Sequence, residues 1–291
     1  MASPLEETEE KLSDATDGEI TQFKGCLARA GFGRKLVCEV GTSQKNELAE
    51  VMYEAVRQHL DKNPYEISIE DTLAVLRRAN VEERWDIAEE AYLHLYLTAP
   101  PWPKGRHAYR SLRIRFGEGD EGVAKTFEAH VARIKTVFEE KGFWRWEHLH
   151  SGSVPYEGKP VERLRLLAGN HTHKPILEWV IVDLDANRER ESVTEVRGPH
   201  SLADELLVIA WLFPDMIRAI DYVKFPGLFA AGYEVNVPGC NDGEWRSVVV
   251  VYFNRGGRRV DVFAADRGTD NSDYSVPVLQ GLRSGHAVLA T

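Results

Sequence analysis

Cysteine is scarce. Cys26, Cys38 and Cys240 form an odd set with no C-x-x-C spacing, which suits a reducing compartment better than a disulfide framework. Long apolar runs are missing as well: the longest, Leu206 to Phe213, is far too short to span a bilayer. Positive charge is in deficit, with 36 lysines and arginines against 46 acidic residues. The resulting formal charge of −10 counts against general nucleic-acid or anionic-membrane binding. The opening residues, MASPLEETEEKLSDATDGE, are acidic where a secretory leader would be basic and then apolar, so the expected location is cytoplasmic. No period of repeats is visible.

Signature motifs are equally sparse. The chain has no G-x-x-x-x-G-K-[ST], no H-E-x-x-H and no G-x-S-x-G, which removes the commonest nucleotide-hydrolase, zinc-protease and serine-hydrolase readings. No G-x-G-x-x-G is expected after a strand, and no nucleotide cofactor. What remains is a chain of 291 residues, 43% hydrophobic with only 13 prolines, long enough for one large packed domain or two smaller ones.

Residues 1–18 read as an acidic flexible arm, where carboxylates crowd a single lysine and apolar anchors are few. Residues 19–98 read as a helical N-terminal region. A short helix fits Ile20 to Ala30, and Ser43 can cap another that runs to about Leu60. Ser68 with Asp71 caps a helix to about Ala79, and Asn80 with Glu83 starts a further one to Thr98, with Trp85, Ala88, Tyr92, Leu93, Leu95 and Tyr96 as a broad apolar stripe. Ala99-Pro-Pro-Trp-Pro103 cannot continue a helix and marks a domain boundary. Residues 104–291 then read as an α+β sheet domain. The expected fold class is therefore α+β: a helical N-terminal region followed by a mainly antiparallel β-sheet domain with helices packed on one face.

Within that domain Tyr109 to Phe116 alternates. Leu112, Ile114 and Phe116 share one face, and Ser111, Arg113 and Arg115 the other, as in a half-buried strand. GEGDEG leads into the clearest helix, Val123 to about Lys141, with Val123, Phe127, Val131, Ile134 and Phe138 at the helical period. Strands are expected at 143–150, 161–168, 175–183 and 191–197, with joints short enough to favour antiparallel neighbours. Ser201 starts a helix through Leu212, and Pro214 opens a second piece to Tyr222. A strand follows at Leu228 to Val237.

Glu244 to Asp266 is a hairpin around Gly256 and Gly257. A two-residue loop places Val249 opposite Ala264, Val251 opposite Val262 and Phe253 opposite Val260, a wholly apolar face. On the other face Val248 meets Ala265 and Val250 meets Phe263 before Tyr252–Asp261 and Asn254–Arg259 turn polar toward the tip. A four-residue loop would keep these faces and change the turn.

Two constellations carry candidate chemistry. His148 and His150 are two apart, so they project from one side of a strand. If the strands at 143–150, 161–168 and 175–183 are successive antiparallel neighbours, Asp183 and Asp185 return to the same end, giving an open divalent-metal site. The bland alternative is polar residues closing a strand and aspartates opening a turn. Arg113, Arg115, Arg145, Arg163 and Arg165 all take the polar parity of their strands. They would form one anion-binding face, or else a solvated face paired with Glu147 and Glu162. The functional expectation is a soluble binding or regulatory protein recognising a protein or anionic partner, with no membrane and no nucleic acid. Its alternative is a metal-dependent enzyme acting on a small molecule through the His/Asp set.

Overall fold

A computed structural model of the protein describes residues 63–147, 149, 153–156, 159–162, 164–166, 176–184, 202–220, 226–236, 245–268 and 274–280, of which 153–156, 159–162 and 280 are described by backbone alone. The chain divides into two units, Met1–Asp61 and Lys62–Thr291, and every described residue belongs to the second. The acidic arm, the helices expected before residue 61 and the strand expected at 191–197 lie outside the described residues.

Helix α1, Ile69–Glu83, starts as its sequence predicts. Ser68 Oγ accepts from the Asp71 amide at 2.9 Å and donates to the Asp71 carboxylate at 2.8 Å. It then runs past Ala79, because Asn80 does not cap a new helix. The Asn80 side chain instead accepts from Ile87 N at 2.9 Å and donates to Ile87 O at 3.0 Å, clamping the turn in which Arg84 and Asp86 take left-handed φ angles of 55° and 60°. Helix α2, Glu89–Thr98, therefore begins well after Asn80. Its apolar stripe is also narrower than expected: Tyr92 and Leu95 are buried, while Leu93, Tyr96 and Leu97 face outward.

Strand β1, Ala108–Arg115, leads through Gly117 into α3, Gly119–Phe138. A 3₁₀ turn at Glu140–Gly142 precedes β2, Phe143–Arg145. Then come β3, Ser153–Tyr156, β4, Lys159–Glu162, β5, Leu164–Leu166, and β6, Ile176–Asp183. Helix α4, Asp204–Leu212, is followed by α5, Pro214–Arg218, with Pro214 in its first turn as expected. Strands β7, Gly227–Val235, β8, Ser247–Asn254, β9, Arg259–Asp266, β10, Tyr274–Ser275, and β11, Val278–Gln280, complete the described order.

The strands form a three-stranded sheet in the order β1-β6-β11, a six-stranded sheet in the order β10-β7-β8-β9-β2 with β5 also on β7, and the pair β3-β4. The class is α+β. Most pairings are antiparallel, but β2 runs parallel to β9, with Phe143 beside Val260, and β10 runs parallel to β7. The expected adjacency of the strands at 143–150, 161–168 and 175–183 is thus replaced: β2 lies at the edge beside β9, β5 pairs β7, and β6 belongs to the other sheet between β1 and β11. Short joints do not force neighbours when a strand as short as β2 can complete an edge elsewhere.

The β8–β9 hairpin keeps the predicted register from Ser247–Asp266 to Asn254–Arg259. Its loop is the four-residue version, 255–258. Neither glycine takes positive φ; Arg258 does, at 51°, while Gly257 N donates to Asn254 Oδ1. The two hairpin faces enter different clusters. Val249, Val251, Val260 and Val262 join the main core, and Val248 and Val250 pack with Phe229, Ala231 and Val276.

All nine residues of α4 are buried, because β1, α3, β7, β8 and α5 surround it. A helix enclosed on every side has no polar face, which explains its nearly uninterrupted apolar sequence. The open edge of β1 is closed by side chains: Asn63 Nδ2 donates to Ala108 O and His130 Nε2 to Ile114 O, each at 2.9 Å, and Phe116 N donates to Thr126 Oγ1 at 2.9 Å.

Candidate functional site

The alternation on β1 aims Tyr109, Ser111, Arg113 and Arg115 at one side, and α4 covers that side. Tyr109 packs edge-on against Phe213 with ring centroids 5.2 Å apart. Arg113 and Arg115 meet the first turn of α4, where Asp204 and Glu205 stand. Arg113 Nε donates to Glu205 and Nη1 donates to Glu178 on β6 at 2.8 Å; Arg115 Nε donates to Asp204 at 2.7 Å. Tyr233 on β7 donates its hydroxyl to Asp204, and Ala203 N donates to Glu205 at 2.9 Å. The strand expected to be half-buried is therefore buried on both sides, and its polar face is an internal ion network.

Two guanidinium groups face three carboxylates. The surplus negative charge sits at a helix N-terminus, where the macrodipole contributes roughly half a positive charge. Burial opposes the charge of Arg113, but Glu205 and Glu178 outweigh it and hold the guanidinium above its ordinary value. Burial first, and then the Asp204 carboxylate, push the Tyr233 hydroxyl well up, so it stays a donor. His130 lies beside this network, wholly buried. Its Nε2 faces the Ile114 carbonyl, which can only accept, and its Nδ1 faces Trp211 Nε1 at 3.4 Å, which can only donate. The ring is therefore the neutral Nε2–H tautomer, and burial lowers its pKa. Arg113, Arg115, Glu178, Asp204, Glu205 and Tyr233 are engaged with one another, and together they staple β1, β6, α4 and β7.

The turn beside it overturns the expectation that no G-x-G-x-x-G follows a strand. Gly117-Glu-Gly119-Asp-Glu-Gly122 is a literal G-x-G-x-x-G between a strand and a helix. Its context is not that of a dinucleotide site, which needs a parallel βαβ unit. Here β1 pairs antiparallel with β6, and the strand after α3 joins the other sheet. Glu118, Asp120 and Glu121 would also repel a phosphate. The glycines serve packing instead: Gly117 and Gly119 take φ of 97° and 60°, and a Cβ on Gly122 would lie 2.5 Å from Gly117 C. The adjoining cleft between Arg115, Thr126, Leu166 and Asp204 has room for about one water.

The other predicted residues fall apart in space. Arg145, on β2, grips Glu128 with two hydrogen bonds of 2.6 and 2.8 Å, and Arg165, on β5, donates to Glu234 at 2.7 Å while lying 4.1 Å from the Trp245 ring centre. Arg113 and Arg115 belong to the other sheet, so these four do not share a face; Arg163 lies outside the described residues. His148, His150 and Asp185 also lie outside them. Asp183 ends β6, between Ala108 of β1 and Val278 of β11. Among the described residues, no group of three or more His, Cys, Asp or Glu side chains could hold a metal ion, and no helix is long and apolar enough to cross a membrane.

A different surface stands out. The large hydrophobic side chains exposed among the described residues are Val81 at 77%, Leu93 at 61%, Tyr96 at 50% and Leu97 at 73%, all on α1 and α2. Leu93, Tyr96 and Leu97 are spaced i, i+3, i+4 and lie on one helical face. The signal was present in the sequence as an apolar helix. What hid it was the assumption that every apolar residue on it packs inward.

No protein-family model, curated protein or solved structure matches the chain.

Proposed function

We propose that this chain is a protein-binding module and that the outer face of α2 makes the contact. The observation that carries this reading is the concentration of exposed large apolar side chains on one helical hairpin, three of them on one face of α2. Scattered exposed leucines need no explanation. A contiguous set on an otherwise packed chain costs solubility and is kept where a partner covers it. Leu93, Tyr96 and Leu97, at i, i+3 and i+4, make one continuous apolar strip of the kind that packs against the apolar face of another helix. A protein partner is favoured over an anionic one, since Arg113, Arg115, Arg145 and Arg165 each sit against a carboxylate.

The test is site-specific photocrosslinking in the full chain. Benzoylphenylalanine in place of Tyr96 should give a discrete protein adduct in an extract of the source cell. The same probe at exposed Glu121 on α3 should not, and Leu97→Asp should remove the adduct. Equal labelling at both positions, or an adduct indifferent to Leu97→Asp, refutes the reading.

A further inference from the structure

We infer that the partner presents a basic amphipathic helix to the α2 face, an inference that rests on the protein-binding reading above and names the chemistry of the partner. The centre of the face is apolar, formed by Leu93, Tyr96 and Leu97, and its rim is negative. Glu89 and Glu90 occupy the first turn of α2 and no basic residue occupies the last. From Glu89 to Thr98 the helix carries Glu89 and Glu90 and no lysine or arginine, whereas Glu82 and Glu83 on α1 are taken up by Arg133 of α3.

The nearest cations do not cancel this. Arg110 is buried near the end of α2, where it donates to Pro100 O at 2.9 Å and Ile67 O at 3.0 Å and lies over Trp102 and Trp179. Arg77 lies over the Tyr92 ring at 4.6 Å and meets Glu89 at 3.1 Å, but both charged side chains are more than half exposed, so the ion pair contributes little.

Charge argues against a second copy of this chain as the occupant. An antiparallel pairing of two α2 helices would set Glu89 and Glu90 of each against the negative end of the other. A parallel pairing would set like ends together. An interface of three large side chains is also small beside the roughly 800 Å² per partner of a standard stable interface, so the fit is to a short segment held in part by charge.

A labelled leucine–lysine amphipathic peptide of about 14 residues, long enough to form a helix once docked, is the probe. A leucine–glutamate peptide with the same apolar face is the control. In fluorescence anisotropy at roughly physiological salt the lysine peptide should bind the full chain and the glutamate peptide should not. Leu97→Asp should weaken binding about tenfold or more with an unchanged melting curve, as its exposure allows. Leu97→Gln, which adds no charge, should weaken it in the same direction. The double variant Glu89→Gln, Glu90→Gln should weaken binding roughly threefold and flatten its salt dependence. Equal binding of the two peptides, or lysine-peptide binding that ignores both Leu97 variants, overturns the inference. If neither peptide binds while the Tyr96 adduct persists, the basic partner is wrong and the docking face stands. If both fail, the protein-binding reading falls with it.

Discussion

Replacing Gly122 by alanine separates packing from helix propensity, because the two effects have opposite signs. Gly122 stands in the first turns of α3, where its amide already donates to Glu118 O at 2.9 Å. In an ordinary helix, alanine for glycine stabilises by about 1 kcal/mol. Here the new Cβ would lie 2.5 Å from Gly117 C, 2.6 Å from Gly117 O and 3.3 Å from Gly117 Cα. The first two contacts fall short of ordinary van der Waals separation by about 1 Å, and the obstructing atoms are backbone, which cannot rotate aside. Gly117 is itself at φ 97°, so its peptide has little room to move without opening the turn that joins β1 to α3. Overpacking of this kind costs about 1–3 kcal/mol, and the rigid obstacle places it at the upper end. Against the propensity gain, the net expectation is a loss of about 2 kcal/mol, or a fall in Tm of roughly 4–8 °C for a unit of this size. Urea and thermal unfolding of the full chain, followed by circular dichroism, measure it. Gly119→Ala is the comparison: at φ 60° with open space around it, it should lose only the roughly 1 kcal/mol of left-handed strain. A Gly122→Ala protein that is more stable than the parent refutes the close approach.

The internal ion network and the buried histidine give further tests. Arg113→Leu leaves Glu178 and Glu205 buried without their shared cation and should cost about 3–5 kcal/mol; adding Glu178→Leu should recover part of that, whereas additive losses in the double variant would show that the network is not coupled. His130 is held neutral when folded and has a lowered pKa, while the unfolded chain titrates near the ordinary value of about 6.5. Its contribution is therefore complete above about pH 7. It is lost as pH falls below 6.5 toward the depressed folded value, by at most about 1.4 kcal/mol per pH unit. Urea midpoints at pH 7.5 and 5.5 should fall further for the parent than for His130→Phe; parallel falls would show that the ring titrates freely in the folded state.

The features legible in the sequence were those set by near neighbours. Ser68 with Asp71 predicts the start of α1, Pro214 the first turn of α5, and the two β-branched runs around Gly256 and Gly257 the β8–β9 register, each from residues within a few positions of one another. Asn80 shows the limit of such reasoning. Its residue type suits a cap, yet the competing bonds to Ile87 won, because they close a turn that a helix start there would forbid. The G-x-G-x-x-G pattern was likewise present but not decisive, since its meaning depends on how the flanking strands pair.

The candidate sites were less legible for a physical reason. Arg113 and Arg115 carry no mark of burial, because the carboxylates that receive them, Asp204 and Glu205, stand about ninety residues away on α4. Alternation separates two faces of a strand but does not tell which face meets water. Conversely, Leu93, Tyr96 and Leu97 resemble core residues in composition, and only the packing of Tyr92 and Leu95 on the opposite side leaves them outside.

By itself, then, the sequence determined the α+β class, the starts of α1 and α5 and the hairpin register, since these follow from periods, caps and turns acting over short separations. Tertiary structure alone decided that β2 runs parallel beside β9, that Arg113 and Arg115 enter an internal ion network, and that among the described residues one face of α2 exposes large apolar side chains. Those outcomes depend on which distant surfaces meet, and desolvation in an enclosed core changes the worth of a charge or a leucine without any change in the local sequence.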